Sequence, residues 1–264
     1  MTKNKINEDS RSFLSRKKWA IIIIAAVCAM FCIAFVTYRN GFMYKCANFI
    51  ALRVIPSTLD IKPPDYYAVD GWRNSLDKMN IDVDVVFFGN SITKASAFHT
   101  YFENVSVCNL GYSGDNLKGM NNRISLVKTV KPEKVFIMGG VNDLAAKDDK
   151  YIIETYKQML VSMKDSIPTA QIYVQSILPI GKNRYKDRKS DNERIIRLNK
   201  QLETIAKELQ LTYVDIFSLY YKDGELDKTI THDGIHLYPE AYNRWAEKIR
   251  PYIYEKSLGN KTVE

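Results

Sequence analysis

From residue 83 onward the chain alternates between two hydrophobic periods. Consecutive apolar and β-branched residues at 83–88, 105–110, 134–138, 171–177 and 211–216 read as short buried strands. Between them the apolar positions recur every three or four residues: Leu117, Met120, Ile124 and Val127; Ile152, Tyr156, Met159, Met163 and Ile167; Ile195, Leu198, Leu202, Ile205 and Leu209. That spacing predicts helices with one buried face. A last helix is expected from about residue 239 to 254, with Pro239 in its first turn, where a missing N–H costs nothing. Five strands alternating with helices predict an α/β fold: a three-layer α/β/α sandwich around a five-stranded parallel sheet. There is no tandem repeat and no low-complexity tract.

The beginning of the chain follows neither period. "WAIIIIAAVCAMFCIAFVTY", residues 19–38, contains no charged side chain. At ~1.5 Å per residue it spans a hydrocarbon core of ~30 Å. Trp19 and Tyr38 stand at its ends, where interfacial aromatics belong. A transmembrane anchor is therefore expected over 19–38. Before it, residues 1–18 carry Lys3, Lys5, Arg11, Arg16, Lys17 and Lys18 against Glu8 and Asp9, a net +4 of the chain's +8. After it come only Arg39, Lys45 and Arg53 within twenty residues. The positive-inside bias predicts a cytoplasmic basic tail and an extracytoplasmic remainder. The apolar run ends in Phe-Val-Thr-Tyr-Arg, which is no small-residue cleavage site, so the segment reads as an uncleaved anchor. Residues 39–80, broken by "KPPDYY", read as a membrane-proximal connector. Residues 81–256 form the folded domain and 257–264 a tail.

Charge and cysteine usage narrow the function classes. The +4 left outside the tail forms no basic stripe interleaved with aromatics, so nucleic acid is not an expected partner. Three histidines and no C-x-x-C leave no metal-ligand spacing, and neither metal nor cofactor is expected. Cys46 and Cys108 fall on the oxidising side of the membrane, where pairing is open to them but not required.

Chemistry enters through the polar loops. "FFGNSIT" runs from the first strand into Ser91, and Gly-Asn-Ser is equally the composition of an ordinary turn. "NLGYSGD" follows the second strand, "GGVND" the third, and "THDGIH" lies between the fifth strand and the last helix. In a parallel sheet these positions share one edge, where open α/β folds bind ligands. A serine hydroxyl needs an imidazole as base. The imidazole needs a carboxylate to fix its tautomer, and the developing oxyanion needs N–H donors. Ser91, His236, Asp233 and donors at Gly114 and Asn142 supply one of each. The serine is not in a G-x-S-x-G elbow, which argues against the α/β-hydrolase arrangement.

These four blocks, in order, resemble those of the SGNH hydrolases, the GDSL esterase/lipase superfamily. The resemblance covers about residues 83–254 and implies the flavodoxin-like SGNH fold. It implies Ser91 as nucleophile, His236 as general base and Asp233 as the group orienting the imidazole. It also implies an oxyanion hole made by the Ser91 and Gly114 backbone N–H groups and the Asn142 side chain. The first block departs from the family's Gly-Asp-Ser-Leu, reading Gly-Asn-Ser-Ile. The activity implied is ester hydrolysis through an acyl-enzyme, on carbohydrate O-acetyl groups or on lysophospholipid and short acyl esters; acyl transfer uses the same intermediate. The reading from another class, a catalytically silent binding domain, is opposed by the intact set Ser91, Gly114, Asn142, Asp233 and His236. Near the site, Asp115 is expected to cap the helix starting near Asn116 and Asp143 to serve a turn or cap. His99 reads as a surface or packing residue rather than a lining of the acyl pocket, and His232 as a loop residue rather than a second base. The basic stretch "GKNRYKDRK", 181–189, reads as a solvated loop or as an anion-recognising rim.

Overall fold

In a computed structural model of the chain, residues 82–181 and 192–256 are described. The expected anchor, connector, Cys46 and all of the basic loop beyond Gly181 lie outside them. Among the described residues no helix is long and apolar enough to cross a membrane.

Five parallel strands form the central sheet: β1 (Val85–Gly89), β2 (Val107–Gly111), β3 (Lys134–Met138), β4 (Gln171–Gln175) and β5 (Thr212–Val214). Their spatial order is β2-β1-β3-β4-β5. The chain steps outward from β1 to β2, then returns to the other side of β1 with β3. That reversal opens a crevice at the carboxyl end of β1, the place such sheets offer a ligand. β1 and β3 are buried along their whole length, which is why they read as unbroken apolar runs rather than alternating ones.

Among the described residues there are six α-helices, in chain order α1 (Ser91–Lys94), α2 (Leu117–Asn122), α3 (Ile124–Thr129), α4 (Asp149–Ser166), α5 (Asn192–Glu208) and α6 (Tyr242–Tyr254). One face of the sheet is aromatic. Phe87, Phe136 and Tyr173 lie in register on β1, β3 and β4, and their rings stack at 5.2 and 4.4 Å. α6 covers that face, with Tyr252 5.4 Å from Tyr173 and Trp245 edge-on to Phe98, itself stacked on Phe87 at 4.1 Å. α4 packs against α2, α3 and α5 in the other helical layer.

The structure departs from the expected elements where polar side chains replace the ladder. The fourth strand stops at Gln175 rather than 177. Beyond it, Ser176 Oγ accepts from Ile216 N and Phe217 N, and the Asn199 amide serves both N and O of Ile177. Those same bonds end β5 early. The single helix expected over 117–127 is two, broken at Arg123. Pro239–Ala241 is a 3-10 turn ahead of α6. A small hairpin, β6 (Tyr221–Lys222) with β7 (Glu225–Leu226), turns on Asp223 and Gly224, both at positive φ. Its Asp-Gly signal was present in the sequence.

Candidate active site

Ser91 is the first residue of α1, directly after β1. Asn90, wholly buried, caps that helix, its Oδ1 accepting from Ile92 N at 3.0 Å. The capping bond requires only an acceptor oxygen, so Asn does here what Asp would do without burying a charge. As the opening residue of a helix, Ser91 presents an N–H that no intrahelical carbonyl can take. Close approach seats α1 on the strand ends. A Cβ on Gly89 would meet Thr93 Oγ1 at 2.2 Å, and one on Gly111 would meet Lys94 N at 2.2 Å. From the other side, Tyr242 on α6 donates its hydroxyl to Ile92 O at 2.6 Å.

Ser91 Oγ lies 2.9 Å from His236 Nε2, and His236 Nδ1 lies 2.6 Å from Asp233 Oδ2. The carboxylate can only accept, so Nδ1 carries the ring hydrogen and Nε2 receives the serine hydroxyl. The loop is built to hold this pair. Asp233 Oδ1 accepts from the backbone N–H of Ile235 and His236, at 3.0 and 2.8 Å. Gly234 turns at φ +78°, its N–H bonded to Thr231 Oγ1 and its C=O taken by Gly181 N. Burial pushes the Asp233 carboxyl upward. The bonds from the His236 and Ile235 N–H groups and the His236 ring outweigh it, holding Asp233 well below the usual carboxylate range.

Two further loops reach the same edge. Gly114 stands at φ +77°, exposed, with open space where a Cβ would be. Asn142, after β3, donates one Nδ2 hydrogen to Asp115 O at 2.7 Å, which leaves the amide's second hydrogen available. The structure thus hydrogen-bonds Ser91, His236 and Asp233 in one line, and a backbone carbonyl links Asn142 to the Gly114 loop.

Several neighbours behave differently from expectation. Asp115 is not the helix cap: Asn116 caps α2 through its own side chain, accepting from Gly119 N, while Asp115 pairs with Arg123 in the interior at 2.6 Å. Asp143 does cap, but across loops, its Oδ2 accepting from Leu117 N at 3.1 Å; burial pushes its pKa up to about 7. His99 and His232 are exposed. The His232 ring lies 6.5 Å from that of His236 and 5.9 Å from Tyr238. Cys108 is an unpaired, half-buried thiol on β2. Among the described residues no group of His, Cys, Asp and Glu is arranged to hold a metal. Arg123 was missed in the sequence, although a charge falling three residues after Met120, on the apolar stripe, was there to be noticed.

The family model for GDSL-like lipases and acylhydrolases matches residues 87–244, from the middle of β1 into α6. This chain belongs to that family. It is an SGNH-type acylhydrolase, an enzyme that hydrolyses esters. A GDSL-like lipase from Bacteroides thetaiotaomicron superposes with a TM-score of 0.62 at 22% identity, covering 70% of this chain and 96% of its own. A lipase/acylhydrolase from Enterococcus faecalis gives 0.55 at 24%, covering 65% and 95%. A carbohydrate esterase family 3 protein from Talaromyces cellulolyticus gives 0.51 at 20%, covering 65% and 96%. At these identities the likeness is one of fold. No curated protein sequence matches the acylhydrolase.

Proposed function

We propose that this acylhydrolase is a serine esterase that removes O-acetyl groups from carbohydrates outside the cytoplasm, tethered to the membrane by residues 19–38. The observation that carries the catalytic part is the hydrogen-bonded line Ser91–His236–Asp233 at 2.9 and 2.6 Å. Ser91 Oγ attacks the ester carbonyl while His236 Nε2 takes its proton. Asp233 stabilises the imidazolium that forms. The tetrahedral oxyanion sits among the N–H groups of Ser91 and Gly114 and the Asn142 amide. His236 then returns the proton to the departing sugar oxygen. A water molecule, deprotonated by the same imidazole, releases acetate from Ser91. No step calls for a cofactor.

The sugar reading draws on the surface beside the base. Tyr238 is 40% exposed and tilted against the exposed His232 ring. Together they offer a shallow platform, apolar in face and polar at the rim, of the kind a pyranose packs on. The fold is shared with a protein described as a carbohydrate esterase. The competing substrate is a lysophospholipid or other acyl ester, favoured by the apolar segment that would hold the enzyme beside a bilayer.

Acyl-chain selectivity separates them. The full chain in detergent, given acetyl, butyryl, octanoyl and palmitoyl p-nitrophenyl esters, should lose kcat/KM steeply beyond butyryl and should deacetylate acetylated xylan. Rising kcat/KM with chain length would replace the sugar ester with a lipid. Acyl transfer to an added alcohol outpacing hydrolysis would make the enzyme an acyltransferase.

A further inference from the structure

Arg123 is only 2% exposed, a charge in the interior directly behind the site. Its Nε donates to Asp115 Oδ2 at 2.6 Å, Nη1 to Leu110 O at 2.6 Å and Nη2 to Gly89 O at 2.7 Å. Its guanidinium carbon lies 4.3 Å from the centre of the Phe88 ring. Burial pushes Asp115 up and Arg123 down, while each holds the other charged; a guanidinium so paired stays protonated. A buried ion pair is weak evidence of stabilisation, because desolvating two charges offsets most of their attraction. What this one joins is more informative than its energy.

We propose that Arg123 is the positioning residue of the oxyanion hole, a single cation tying together the three segments that carry its donors. Gly89, whose carbonyl it holds, lies two residues before Ser91. Leu110 and Asp115 bracket the loop that carries Gly114, so both ends of that loop are fixed on one planar group. The third donor is linked through the backbone: Asn142 Nδ2 donates to the carbonyl of the same Asp115 whose carboxylate Arg123 grips. Each donor is therefore within two residues, or one hydrogen bond, of an Arg123 contact. α2 ends at Arg123 and α3 begins after it, and this break in the helix is where the side chain enters the interior. A lysine cannot replace the fork, since one ammonium lacks the planar spread of donors that reaches two carbonyls and a carboxylate together.

This inference rests on the proposed oxyanion hole and has its own signature. A donor displaced by a fraction of an ångström weakens the transition state more than the bound ester, so the loss appears in kcat. Two variants of the full chain test it, Arg123→Lys and Asp115→Asn, with kcat and KM for p-nitrophenyl acetate expressed per folded molecule from near-UV circular dichroism. Both should lower kcat about 10- to 100-fold, short of the ~10²–10³ of deleting a donor outright, with KM little changed. If Arg123→Lys does not fold at the assay temperature, Asp115→Asn decides alone. A folded variant with wild-type kcat, or one altered only in KM or melting temperature, would overturn the positioning role. Failure of the catalytic reading registers separately, as wild-type turnover by Ser91→Ala.

Discussion

A single carboxyl group beside the site gives the clearest pH signature. Asp143, 3% exposed, has its pKa raised from an ordinary 3.8 to about 7 by burial, with the N–H of Leu117 opposing the shift. Between those values the folded protein keeps a proton that the unfolded chain releases. Stability contributed at this position is therefore full below about pH 4, falls as pH rises toward 7, and is level above it. Asp233 has the opposite sign: its depressed carboxyl contributes stability at neutral pH that is lost only in strong acid. Asp143→Asn, which keeps a neutral side chain at every pH, should show its gain over wild type growing by on the order of 2–4 kcal/mol between about pH 4 and about pH 8. Urea unfolding at the two pH values measures it. A gain independent of pH would mean that Asp143 is ionised throughout. The sequence marked Asp143 as a turn or cap residue but carried no sign that the helix it caps is on another segment, since that depends on α2 being laid against the β3 loop.

At the level of elements, the position of Ser91, the proposed nucleophile, depends on how closely α1 lies on the ends of β1 and β2. Gly111 is the sharpest contact: an added Cβ would stand 2.2 Å from Lys94 N and 2.6 Å from its Cα, both backbone atoms that no side-chain rotation can clear. Gly111→Ala should cost about 1–3 kcal/mol and lower turnover as α1 is displaced. Equal stability and turnover by thermal melting and ester assay would show that α1 has room to move. Strands and helices were legible because apolar periods of two kinds are local properties. The proposed catalytic residues were legible for a related reason: they fall in polar loops that follow strands, and parallel strands bring such loops to one edge. Arg123 was not, because the helix in which it sits reads as continuous. Only the sheet shows that two carbonyls and a carboxylate converge on that point, and Asp115 was misassigned as a cap for the same lack.

For the whole molecule, the proposed arrangement puts a basic tail, 1–18, and an anchor, 19–38, ahead of a connector and the esterase domain of 81–256. A spanning helix is retained by hydrocarbon burial and not by charge. The full chain should then sediment with membranes, resist high-salt extraction and be released by detergent. Alkaline phosphatase fused after residue 264 should be active. A soluble product starting near residue 40 would make the segment a cleaved signal, and an inactive fusion would reverse the orientation.

The central claim is that ester cleavage passes through an acyl group on Ser91, and covalent trapping reads it directly. The full chain treated with a fluorophosphonate should gain the mass of one phosphonyl group. Peptide mapping should place it on Ser91, and loss of ester hydrolysis should run in proportion to labelling. Ser91→Ala should neither label nor turn over while keeping the wild-type circular dichroism spectrum. An adduct on another residue, or a Ser91→Ala variant that hydrolyses p-nitrophenyl acetate at the wild-type rate, would contradict the account.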